Sequence, residues 1–127
     1  MALDEKIEII DLPQEGTFKV VQLLFDEKPI MLCGYSYHAD ILENYLRSKE
    51  IRPHKMTIRK MLEEKEIPVL TGERYKVVGM GLAEIKQQDK IFQLPFDESG
   101  DYGIQPNYDF REQLRKQFVG WKFSKFD

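Results

Sequence analysis

The spacing of apolar positions changes several times along the chain, and each change marks a new element. Ile7 to Leu12 is a short apolar stretch closed by Pro13, after which Gln14-Glu15-Gly16 makes a turn. Thr17 to Phe25 (TFKVVQLLF) is rich in β-branched and aromatic residues, the composition of a strand. A polar connection, Asp26-Glu27-Lys28-Pro29, leads into a second apolar run from Ile30 to Tyr35, and the two runs predict a hairpin. The spacing then lengthens to three and four. Ile41, Leu42, Tyr45 and Leu46 fall on one face of a helix that Ser36 would cap and that runs to about Lys49.

Beyond Pro53 the apolar residues Ile58, Met61 and Leu62 are again at helical spacing, which predicts a second short helix over Met56 to Lys65; a strand from Lys55 to Arg59 is the alternative. Pro68 to Gly72 reads as a loop. Arg74 to Leu82 (RYKVVGMGL) reads as a strand interrupted by Gly79 and Gly81, and glycine inside a strand marks a bulge or the close approach of another backbone or a ligand. Ile91 to Phe96 is a further strand, followed by the loop Asp97 to Gly103. Asn107 caps a helix reaching about Val119, with Phe110, Leu114 and Phe118 on one stripe, and Trp121 to Phe126 alternates like a terminal strand. The elements follow no strict βαβ alternation. They predict a compact α+β domain with a mixed β-sheet of about five or six strands and two or three helices.

Composition narrows the setting. A chain of 127 residues with 42% hydrophobic and 32% charged residues fits one globular domain over 1–127. A net charge of -3 lacks the basic surface of a non-specific nucleic-acid binder, so no nucleic-acid partner is expected. No apolar stretch approaches the roughly 18–20 residues of a membrane helix. Met-Ala-Leu-Asp-Glu-Lys lacks the pattern of a signal peptide. The single cysteine, Cys33, cannot form an internal disulfide. The expectation is a cytoplasmic protein without membrane attachment, its oligomeric state left open.

The chemistry-bearing residues are few. Cys33, His38, Asp40 and His54 form the one cluster with metal-ligand side chains, but their spacing matches no common zinc pattern, and no metal or cofactor is expected. His54, between Pro53 and Lys55, reads as a solvent-facing loop residue. There is no Gly-x-Ser-x-Gly, and Gly79-Met80-Gly81 is too little for a Walker loop or a dinucleotide fingerprint. His38 stands out because it falls in the first turn of the helix. A helix N-terminus offers unpaired N–H groups and partial positive charge to an anion, and imidazole suits proton or phosphoryl chemistry near neutral pH. The same spacing places His38 on the Ile41 and Leu42 side, where it would equally serve as a half-buried packing residue.

Phe18-Lys19-x-Val21, Gly34-Tyr35, Tyr37-His38-Ala39-Asp40-Ile41 and Val77-Val78-Gly79-Met80-Gly81-Leu82-Ala83 resemble the protein histidine (phosphohistidine) phosphatase family, also called Janus/ocnus. The resemblance implies a small α+β fold and metal-independent, cofactor-free hydrolysis of phosphoric amides. His38 would be the catalytic nucleophile or general base. Lys19 and the backbone around Ala39, Gly81 and Ala83 would hold the phosphate of a phosphorylated protein or a small anionic ligand. The chain departs from that pattern in five places, one of them a shorter turn between Tyr35 and Tyr37. Cys33 stands where the family has arginine, and Gly81 where it has serine. Met56 to Glu66 replaces a glycine-rich, arginine-containing stretch, and Lys86 to Gln105 is added. These departures favour the alternative of a non-enzymatic binding module with a degenerate phosphate pocket. A different small enzyme using His38 as general base is the third reading.

Overall fold

The computed structural model describes residues 5–123. Strands β1 (Glu8–Ile10), β2 (Glu15–Phe25) and β3 (Lys28–Gly34) precede helix α1 (His38–Ser48). Then come β4 (Lys55–Lys60), β5 (Glu63–Pro68), β6 (Tyr75–Lys86) and β7 (Ile91–Phe96), followed by α2 (Tyr108–Gln117) and β8 (Lys122–Phe123). Six strands form one sheet in the order β1-β3-β2-β6-β7-β8, and β4 and β5 pair separately. The outer pairs β1–β3 and β7–β8 are parallel and the inner ones antiparallel, so the sheet is mixed and the α+β expectation holds.

The mainly apolar run from Phe18 to Phe25 in β2, broken by Lys19 and Gln22, follows from its place in the middle of a sheet covered on both faces. Phe18 and Val20 point to one face, where they meet Met31, Cys33 and the α2 residues Phe110 and Leu114. Val21, Leu23 and Phe25 point to the other, where they meet Leu32 and the α1 residues Leu42 and Leu46. Each helix therefore closes one side of the sheet with its apolar stripe. Asn107 caps α2 as expected, its Oδ1 accepting from the Phe110 N–H at 3.0 Å. At α1 the N-cap position falls on Tyr37, not Ser36, and no side chain caps the helix.

The helix expected over Met56 to Lys65 does not form. These residues build the β4–β5 hairpin, with Arg59 and Glu64 opposite each other and paired at 3.0 Å. Met61 and Leu62 occupy its two-residue turn, both at positive φ (51° and 69°), the mirror-image turn whose twist suits a hairpin. They are 89% and 98% exposed, so the apparent helical stripe has no core behind it. Cross-strand charge pairing and the alternation of Met56 and Ile58 override the spacing.

The two glycines of β6 are explained by close approach. Gln22 pairs with Gly79 while Leu23 pairs with Val77, which leaves Val78 as a bulge. A Cβ on Gly79 would run into the Gln22 side chain and the Asn107 backbone; one on Gly81 would lie 2.5 Å from the Phe96 carbonyl oxygen. The segment after β7 thus lies directly on β6. Near the C-terminus Phe118 packs edge-on against Phe92 and Trp121, with ring centroids 4.8 and 4.9 Å away. The terminal strand expected to Phe126 is seen as β8; its last residues lie outside the described ones. Among the described residues no helix is long and apolar enough to cross a membrane.

Candidate active site at the start of helix α1

Lys19 alternates with Val21 along β2 and so faces the α1 side of the sheet, level with its register partners Gly34 on β3 and Leu82 on β6. The first turn of α1 stands beside this rung. Lys19 Nζ donates to the Tyr35 carbonyl oxygen at 3.4 Å and lies 5.6 Å from the centre of the Tyr37 ring. His38 reaches across to β6, its Nε2 2.9 Å from the Gly81 carbonyl oxygen. A carbonyl only accepts, so Nε2 carries the proton and donates it. Burial holds the imidazole pKa below its ordinary value of 6.5; the Gly81 bond works against this, Lys19 reinforces it, and Asp101 opposes it. The ring is therefore the neutral Nε2–H tautomer near pH 7. Its Nδ1 keeps a lone pair and has no hydrogen-bond partner among the described residues.

The structure brings Lys19, His38 and Gly81 together, with Ala39 buried in the same helical turn. Ala83 is different. Its methyl group belongs to the α2-side core with Phe18 and Val20, on the face opposite His38, so only its backbone is left to serve the site. Cys33 also faces the α2 side, and burial pushes its thiol up to about 12, so it supplies no thiolate here. His54 is exposed in the connection before β4. Among the described residues no group of three or more His, Cys, Asp or Glu could hold a metal ion. A groove of about 340 Å³ runs between α1 and the β1–β3 edge, lined by Ile10, Gly34, Tyr35, Ser36, Ile41 and Asn44 among others; His38, Lys19 and Gly81 do not line it.

Three charged residues join the site that the sequence reading missed. Lys65 of β5 sits 4.3 Å from the centre of the Tyr37 ring and 3.2 Å from Asp101 Oδ2. Lys60, at the end of β4, lies 3.4 Å from Asp101 Oδ1. The Asp101 side chain is only 5% exposed. The signal for the lysines was the strand alternative over Lys55 to Arg59, which implies a return strand through Lys65. Asp101 carried no signal within its polar loop. Compared with protein-family models and with curated proteins, the chain matches none.

Proposed function

We propose that this protein is a phosphohistidine-phosphatase-like hydrolase of phosphoric amides, with His38 Nδ1 as nucleophile or general base. The observation that carries the reading is the fixed tautomer: Nε2 is committed to the Gly81 carbonyl, which leaves the lone pair on Nδ1 at an uncapped helix N-terminus beside Lys19. The likeness of Tyr37-His38-Ala39-Asp40-Ile41 to the histidine phosphatase family supports it from the sequence.

The chemistry needs no metal. A phosphoryl group seated on the N–H groups at the start of α1 is offset in charge by Lys19. In one route the Nδ1 lone pair attacks phosphorus and the P–N bond of the substrate breaks. The departing nitrogen takes a proton from solvent, and water then cleaves the P–Nδ1 bond to release phosphate. In the other, Nδ1 takes a proton from the water that attacks phosphorus directly. Both consume one water and yield phosphate and the free amine or imidazole. A reducing, cytoplasmic setting suits the single buried thiol.

The test is phosphate release from a phosphohistidine peptide. The native protein should turn over, and His38→Ala should abolish release while the far-ultraviolet circular dichroism stays unchanged. Equal turnover by the two proteins would sink the reading. One observation favours the second reading, a non-enzymatic anion-binding module: His38 is only 5% exposed and pins α1 to β6 through its one hydrogen bond. That reading expects phosphate binding without turnover, and a marked loss of stability in His38→Ala.

A further inference from the structure

Three charged side chains gather near the start of α1 from two segments that take no part in the proposed reaction, the β4–β5 hairpin and the loop between β7 and α2. The Asp101 carboxylate is shared between Lys60 and Lys65 at 3.4 and 3.2 Å, longer than the roughly 2.7–2.9 Å of a strong charge-assisted bond. Lys65 and Lys19 both lie against the Tyr37 ring, at 4.3 and 5.6 Å, and Tyr37 directly precedes His38. Two ammonium groups therefore border the start of α1, Lys60 joins them through the shared carboxylate, and that carboxylate is buried. The loop that carries it is closed on itself by the Gly103 N–H donating to the Ser99 carbonyl at 2.7 Å. It is tied to the hairpin by the Tyr102 hydroxyl donating to the Pro68 carbonyl at 2.7 Å.

We propose that Lys60 and Lys65 are phosphate-binding residues, and that Asp101 is an internal anion that a phosphoryl dianion displaces from them. This rests on the reading of the α1 N-terminus as a phosphate site. A phosphoryl dianion brings more charge than a carboxylate and a third acceptor oxygen, so it competes well for loosely held ammonium groups. Its arrival releases Asp101 from the two lysines. The device supplies from a hairpin the cationic grip that arginine gives in other phosphate sites. It also keeps Lys60 and Lys65 neutralised while the site is empty.

Inorganic phosphate is the probe, titrated by calorimetry at low salt into the native protein, Asp101→Asn, Lys60→Gln and Lys65→Gln. Asp101→Asn should bind phosphate about five- to tenfold more tightly, because the internal competitor is gone, and each lysine variant about tenfold more weakly. Unchanged affinity in Asp101→Asn, or in both lysine variants, would overturn the proposal, as would the absence of phosphate binding in every protein. Lys60 and Lys65 are partly exposed and their variants will fold, so they decide the matter if Asp101→Asn does not. The two readings fail separately. Turnover that depends on His38 but phosphate affinity indifferent to Lys60, Lys65 and Asp101 removes the displacement alone. Affinities that shift as stated without any turnover remove the catalysis alone.

Discussion

Replacing Gly81 with alanine tests whether the segment after β7 rests on β6 as tightly as the structure has it. A Cβ at this position would lie 2.5 Å from the Phe96 carbonyl oxygen, 2.7 Å from Pro106 Cγ and 3.2 Å from the Asp97 carbonyl oxygen. Two of the three are backbone atoms, which cannot rotate aside as a flexible side chain would. Contact at an ordinary van der Waals distance requires the segment to lift by roughly 1 Å. Overpacking of this kind costs about 1–3 kcal/mol. Alanine recovers about 0.4–1 kcal/mol because it is less free than glycine in the unfolded chain. The net is a loss of about 1.5 kcal/mol, which for a domain of this size lowers the melting temperature by roughly 5–8 °C. Thermal unfolding followed by circular dichroism measures it. Gly100→Ala is the control, since a Cβ there meets only the mobile end of Lys60 at 3.4 Å and should change little. A melting temperature for Gly81→Ala within a degree or so of the control would refute the packing on which the site's geometry depends.

Four further outcomes are expected. The Gln22 side-chain carbonyl accepts from the Asn107 N–H at 2.7 Å in a fully buried position, so Gln22→Leu should cost about 1–3 kcal/mol in urea denaturation. Asn107→Ala, which loses the cap and the long 3.5 Å bond from Nδ2 to the Val78 carbonyl, should cost about 1 kcal/mol. Because burial holds the His38 pKa below 6.5, the unfolded chain takes up its proton first as pH falls. The stability is then full above about pH 6.5 and declines as pH drops through the folded pKa; His38→Gln should lack that part of the decline, and an identical pH profile would contradict it. Met61 and Leu62 hold positive φ without the glycine or asparagine that suits it, so Met61→Asn with Leu62→Gly should stabilise the β4–β5 hairpin by about 1–2 kcal/mol, read as slower amide exchange in β4 and β5.

Those turn residues also explain what the sequence hid. β2, β3, β6, β7 and both helices are legible because their apolar positions match the two faces of one sheet and the stripes that cover it. The β4–β5 hairpin is not, because Met61-Leu62 stands where Asn-Gly would signal a turn, and its two apolar side chains complete a false helical stripe with Ile58. The same misreading concealed part of the site. Lys65 reaches Tyr37 only from a strand, and a helix over Met56 to Lys65 places it nowhere in particular. His38, Lys19 and Gly81 were accessible from the resemblance, and Gly81 also as a glycine inside a strand. Its role in the structure is to offer a carbonyl to the imidazole, which no residue pattern encodes. Asp101 is a matter of tertiary placement alone, an ordinary loop carboxylate until β4 and β5 bring two lysines to it.

The central claim is that His38 is a neutral imidazole whose Nδ1 lone pair lies free beside the proposed phosphate position. Nitrogen-15 NMR of the His38 ring at neutral pH, with and without inorganic phosphate, measures this directly. The account expects the Nε2–H tautomer with Nδ1 unprotonated, and a Nδ1 resonance that moves as phosphate is added. A charged ring, a proton on Nδ1, or a spectrum indifferent to phosphate would contradict it.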